Sequence, residues 1–79
     1  MENIKNIITK ENPHYEDLIS CFEEVKKEGN VVVIKFDGER IENGYTVFIS
    51  FINQNKEMIR VDGISLKECI IQVLKKYIE

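Results

Sequence analysis

The residue types that carry out covalent or metal chemistry are scarce in this sequence. It has one histidine, His14, and two cysteines, Cys21 and Cys69. A zinc site needs several histidine, cysteine or carboxylate ligands that converge, and these three residues are too few. On one helix, His14 and Cys21 would lie about 10 Å apart, beyond the reach of a hydrogen bond between a nucleophile and its base. We therefore expect no catalytic residue, no metal site and no cofactor, and we interpret both cysteines as buried thiols.

The densest group of ionisable residues lies between two apolar segments and consists of Asp37, Glu39, Arg40 and Glu42. Paired carboxylates serve acid–base catalysis when burial separates their pKa values, and nothing around this group predicts burial. The glycines of the chain also lack the spacing of a phosphate-binding loop. We interpret the stretch as a solvated loop and expect a protein that is not an enzyme.

Composition restricts the fold and the partners. A chain of 79 residues, of which 43% are hydrophobic and 32% charged, is long enough for one small globular domain. The net charge of −3 repels phosphate backbones and anionic membranes, so both are disfavoured as partners. Met1 to Lys10 has no apolar run of signal-peptide length, and no segment approaches the roughly 20 apolar residues of a membrane span. We expect a cytoplasmic protein.

Helical spacing of apolar residues predicts two helices, at about residues 13–28 and 66–78. Asn12 and Pro13 suit the N-terminus of the first helix, and Gly29 suits its left-handed C-terminal stop. Ser65 and Glu68 have the spacing of a capping box at the start of the second. Residues 1–11, which include Ile4, Ile7 and Ile8, form an N-terminal segment whose order the pattern does not define. A single compact domain is expected at 12–79.

Three segments rich in β-branched and aromatic residues, at about 31–37, 45–53 and 57–62, predict an antiparallel meander. With the helices on one face, the fold class is α+β, in a two-layer α-β-β-β-α arrangement. The first connection is either a hairpin closed at Asn43-Gly44 or an eight-residue loop at 37–44.

A three-residue loop at 54–56 is favoured for the second connection. It pairs Phe51 with Ile59, whereas a two-residue loop would turn Arg60 and Asp62 into the core.

The two faces of this sheet are expected to differ. The face toward the helices takes the residues that should hold the fold, namely Phe36, Val47, Ile49, Phe51, Ile59 and Val61. We call the opposite face the outer face. Its apolar residues, rimmed by charge, form a candidate interaction surface of Val31, Val33, Phe48, Ile52, Met58 and Arg60. Alternatively, Ile4, Ile7 and Ile8 fold back over it. The unpaired outer strands offer a second means of association, because an edge can add a strand from another chain.

These features favour a small non-enzymatic protein-interaction module, a regulatory or inhibitory accessory protein of bacterial or phage type. It would bind a protein partner or form a homodimer through its sheet. A more specific alternative is an acidic surface that imitates nucleic-acid phosphates for a basic target. Its residues would be Glu16, Asp17, Glu23, Glu24, Glu39 and Glu42.

The order helix, three-strand meander, helix over Pro13 to Ile78 resembles that of double-stranded-RNA-binding domains. In that family a lysine cluster precedes the second helix, and the loop after the first strand probes a minor groove. Here the approach to the second helix contains one lysine, Lys67, and the loop is acidic. The resemblance therefore implies architecture. Nucleic-acid binding is an alternative that the charge disfavours, through Lys35, Lys56, Arg60 and Lys67.

Overall fold

The computed structural model describes residues 2–79, and Met1, the first residue of the segment 1–11, lies outside the described residues. The elements follow in the order α1 (Glu2–Ile8), α2 (Tyr15–Lys27), β1 (Val31–Phe36), β2 (Tyr45–Ser50), β3 (Ile59–Gly63) and α3 (Leu66–Ile78). The strands form one antiparallel sheet in the order β1-β2-β3. The predicted α+β class and three-stranded meander are confirmed.

The start of α2 differs from the prediction. Its N-cap is His14, in extended conformation and without a side-chain hydrogen bond to the helix. Asn12, the predicted cap, uses its side-chain oxygen to accept a hydrogen bond from Lys67 Nζ at 3.1 Å. A contact to a distant residue thus replaces the local cap. At the other end, Gly29 takes a φ of 86° and ends the helix as predicted.

The boundaries of α3 agree with the prediction because its start is defined locally. Ser65 is the N-cap, and its hydroxyl accepts a hydrogen bond from the Glu68 backbone N–H at 3.3 Å. This bond satisfies one of the amide groups that a helix N-terminus leaves free.

The eight-residue loop at 37–44 connects β1 and β2. Phe36 lies opposite Tyr45, and the Asp37 N–H donates to the Gly44 carbonyl at 2.7 Å. Asn43 takes a φ of 53°, which asparagine tolerates better than most residues. Of the two predicted connections, the open loop is the one present.

The predicted register between β2 and β3 is wrong by two residues. Ile49 lies opposite Ile59 and Val47 opposite Val61, and residues 51–58 connect the strands. Phe51 leaves the ladder and stacks on Tyr77 of α3, with ring centroids 6.0 Å apart. Because a shift of two residues preserves the side on which each side chain lies, the predicted faces of β3 are unaffected.

The core lies between the sheet and the helices. α3 packs against β2 and β3, α2 packs against β1 and α3, and α1 packs against α2 and α3. Ile4, Ile7 and Ile8 therefore join the core beside the other helices, and the alternative that they cover the outer face is wrong. Both cysteines are buried and free, as predicted.

One expected core residue lies at the surface. Phe36 has its side chain on the helix side of the sheet, since it is opposite Tyr45, yet 68% of the residue is exposed. Its ring contacts Tyr45 edge-on, with centroids 5.4 Å apart. The helices pack over the neighbouring residues of β1 and do not bury its last one.

Candidate interaction surface

The register divides the outer face into cross-strand rows with different chemistry. From the loop at 37–44 outward, the rows are Lys35, Thr46 and Asp62; Val33, Phe48 and Arg60; and Val31 with Ser50. Continuing the ladder by one pair would bring Met58 beside Ser50. The outer face is therefore polar at one end and apolar at the other.

The apolar end is open to solvent. Val31 and Met58 are exposed, while Val33 and Phe48 are half-buried by their neighbours on the same face. Val33 and Phe48 are not part of the core cluster. Ile52, 66% exposed, lies in the turn after β2 rather than in the ladder. Five of the six residues of the candidate interaction surface thus remain near one another in the sheet or at its margin, and Ile52 lies beyond its end.

The polar end is organised around Asp62. Its Oδ1 accepts hydrogen bonds from Thr46 Oγ1 at 2.5 Å and from Arg40 Nη1 at 3.0 Å, and its Oδ2 accepts one from Arg60 Nε at 3.1 Å. The hydrogen bond from Arg60, followed by that from Thr46, holds the pKa of Asp62 well below its ordinary value. Thr46 is buried beneath these side chains although it lies on the outer face.

A second carboxylate ties the loop at 37–44 to the sheet. Asp37 accepts the Glu39 backbone N–H at 3.1 Å and pairs with Lys35 Nζ at 3.3 Å and Arg40 Nε at 3.5 Å. The hydrogen bond from the Glu39 N–H, followed by the contacts with Lys35 and Arg40, lowers the pKa of Asp37. Because Arg40 bridges Asp37 and Asp62, the loop is held against the polar end of the outer face.

The cations of the nucleic-acid hypothesis are engaged by other groups. Lys35 and Arg60 are paired with aspartates, as described above. Lys56 Nζ lies 4.6 Å from the centroid of the Phe51 ring, and Lys67 Nζ lies 4.8 Å from that of Tyr15. They belong to different elements, so the structure brings only Lys35 and Arg60 onto one face.

The acidic residues are also divided among elements. On α2, Asp17 pairs with Lys10 at 3.9 Å, Glu24 accepts a hydrogen bond from Asn3 at 2.9 Å, and Glu23 borders a groove beside β1. Glu16 is exposed on α2, and Glu39 and Glu42 are exposed in the loop at 37–44. Imitation of phosphates by these residues stays a prediction.

Two surface features were missed by reasoning from the sequence. A groove of about 360 Å³ between α2 and β1 is lined by Ile19, Phe22 and Val32, among others. A second cavity, of about 410 Å³, lies at the loop end of the sheet beside Phe36. The second could have been found from an apolar residue in an otherwise polar segment, because Ile41 lies in the charged loop at 37–44 and lines that cavity.

Residues 2–79 contain no group of three or more histidine, cysteine, aspartate or glutamate side chains that could hold a metal ion. Burial, followed by the charge of Glu24, raises the pKa of the Cys21 thiol to about 11. Burial also raises the pKa of Cys69. Such thiols are weak nucleophiles at neutral pH because the thiolate is scarce. In the same part of the chain, no helix has the length and apolar character needed to cross a membrane.

Comparisons of the chain with protein-family models, with curated proteins and with solved structures found no match. The function is therefore inferred from the surfaces of the molecule.

Proposed function

We propose that this protein is a non-enzymatic interaction module that binds a partner protein through the apolar end of its outer face. The observation that supports this is the position of α1, which packs against α2 and α3 instead of covering the sheet. Val31, Val33 and Phe48 consequently have no element packed over them among the described residues. Apolar side chains left together on a surface commonly mark a site of association.

The size of the outer face indicates the kind of partner. Three strands spaced about 4.8 Å apart make a face about 14 Å wide, and six residues at about 3.4 Å each make it about 20 Å long. This area is well below the roughly 800 Å² per partner of a standard interface. It matches a single helix, whose diameter is about 10–12 Å. We therefore infer that the occupant is a helix of another protein that lies across the strands.

The charges on the face define the chemistry of that helix. Arg60 and Lys35 are each within 3.5 Å of a carboxylate, so neither needs an anionic partner. The contacting stripe of the helix is expected to be apolar, with Phe48 as its central contact because Phe48 lies on the middle strand. A polyanion would have to displace Asp37 or Asp62 to reach the cations.

Substitution of Phe48 tests this proposal. Tagged protein is first used to capture partners from its source cells, and each recovered partner is then purified for calorimetric titration. We expect Phe48→Asp and the milder Phe48→Thr to weaken binding by at least tenfold, as for a central contact residue. The matched control is Ile41→Asp, because Ile41 is fully exposed in the loop at 37–44.

Ile41→Asp is expected to bind as the wild type does. Equal affinity of the wild type and both Phe48 variants would refute the assignment of the outer face. Circular dichroism of each variant would verify that the fold is retained. A cytoplasmic location and a regulatory or inhibitory role remain expectations from the sequence.

A further inference from the structure

The free edge of β1 carries unpaired backbone groups in a regular pattern. In an antiparallel ladder, residues whose backbone N–H and C=O groups bond to the neighbouring strand alternate with residues whose backbone groups point away from that strand. The bond from Asp37 to Gly44 continues the β1–β2 ladder, so Val32, Ile34 and Phe36 direct their N–H and C=O groups away from β2. No other hydrogen bond within residues 2–79 reaches these groups.

Protection against strand addition is slight along this edge. Natural edge strands are commonly interrupted by proline, by a bulge or by an inward-pointing charge. β1 has the sequence VVVIKF, with one charge, Lys35, which lies on the outer face and pairs with Asp37 at 3.3 Å. The edge is therefore a regular, mostly apolar template six residues long.

A knob and a hole lie on the same side of this strand. The knob is Phe36, at the end of β1, with 68% of the residue exposed. The hole is the groove of about 360 Å³ between α2 and β1, which Ile19, Phe22 and Val32 line. Both are on the helix side of the sheet, since Phe36 and Val32 have the same parity along β1.

A two-fold axis perpendicular to the sheet brings the knob of one copy to the hole of another. Antiparallel pairing centred on Ile34 places Phe36 opposite the partner's Val32, at the groove. The six outward-pointing groups of Val32, Ile34 and Phe36 then meet in hydrogen-bonded pairs. On the outer face, Lys35 lies opposite the partner's Val33, so like charges do not meet.

Neighbouring registers are less favourable. Pairing centred on Lys35 would place two lysines directly opposite each other, which is destabilising. Pairing centred on Val33 would move Phe36 beyond the strand, opposite the partner's Asn30.

We propose that two copies of this chain associate through their β1 edges in the register centred on Ile34, with Phe36 of each copy in the α2–β1 groove of the other. The result is a six-stranded sheet with all helices on one side and the outer face doubled in width. This interface is formed by the backbone groups of the β1 edge and by Phe36, whereas the partner of the proposed function contacts side chains of the outer face, so the mass and titration experiments test the two proposals separately.

Mass in solution tests the association. Sedimentation equilibrium over a wide concentration range is expected to show wild-type protein approaching twice the mass of one chain. Phe36→Asp should remain at the mass of one chain, because it removes the knob and places a charge at the groove. Ile41→Asp places the same charge at a fully exposed residue of the loop at 37–44 that does not line the groove, and this variant should associate as the wild type does. A monomeric wild type, or a dimeric Phe36→Asp variant, would overturn the proposal.

Disulfide trapping tests the register. Val33 and the partner's Lys35 would form a non-hydrogen-bonded pair with Cα atoms about 4.5 Å apart, within the range that a disulfide bridges. Val33→Cys and Lys35→Cys variants are prepared separately, mixed and oxidised with glutathione. The native thiols are buried and should not interfere.

The mixture is expected to yield a crosslinked dimer containing one chain of each variant, in excess of any dimer of a single variant. A crosslink in Val33→Cys alone would assign the register centred on Val33, and one in Lys35→Cys alone the register centred on Lys35. Either result, or the absence of a crosslink in the mixture, would overturn the proposed geometry.

Discussion

Replacement of Gly63 by alanine should destabilise the fold through one contact between β3 and α3. A Cβ at Gly63 would lie 2.8 Å from the Sγ of Cys69, about 1 Å inside an ordinary contact distance. Cys69 is 1% exposed, so its side chain has little space to turn away. Overpacking of this kind costs about 1–3 kcal/mol. Backbone strain adds nothing, because the positive φ values among the described glycines are confined to Gly29.

Urea unfolding of a double-mutant cycle measures this contact. Cys69→Ala removes the sulfur and should by itself cost about 1 kcal/mol for the small cavity. The variant with both substitutions should be more stable than the sum of the single losses indicates, by about 1–3 kcal/mol, because alanine at 63 then occupies the space of the sulfur. A Gly63→Ala variant as stable as the wild type, or losses that simply add, would refute the reasoning.

Two further predictions concern α3. Ser65→Ala should lower the free energy of unfolding by about 1 kcal/mol, because the hydrogen bond from the Glu68 N–H to the cap is lost. Ser65→Asp should keep the stability of the wild type, since its carboxylate can accept the same bond. Equal losses for both variants in urea unfolding would contradict the capping role. Tyr77→Phe should cost about 1–3 kcal/mol at neutral pH, since Asn30 Nδ2 donates to the Tyr77 hydroxyl at 3.1 Å and would be left buried without an acceptor. Burial, followed by the hydrogen bond to Glu28, raises the pKa of Tyr77 to about 12. The wild type should therefore exceed Tyr77→Phe in free energy of unfolding by the full amount below about pH 10, and this difference should be lost as the pH rises through 12. A difference that does not change with pH would exclude this linkage.

Short sequence patterns correctly predicted the helix ends and strands that depend on residues close together in the chain. The capping box at Ser65, the glycine stop at Gly29 and the β-branched segments each act through a residue's own backbone or its near neighbours in the chain. The corresponding helix end, helix start and strands are present in the structure.

The predictions that were wrong, the cap of α2 and the length of β2, involve contacts between residues distant in the chain. Asn12 binds Lys67 in place of capping α2, and Phe51 stacks on Tyr77 where a longer β2 was expected. No pattern within a short window contains either pairing, because each depends on how α3 packs on the rest of the chain.

The sequence by itself determined which residues share each face of the sheet. Side chains alternate along a strand with a period of two, so the placement of Arg60 of β3 on the same face as Phe48 of β2 survived a register error of two residues. Only the tertiary structure decided which parts of each face are covered. Packing of α1 on the other helices leaves the outer face open, and the helices stop short of Phe36. Which parts of the sheet are covered depends on where helices distant in the chain pack, and no short segment of the sequence determines that position.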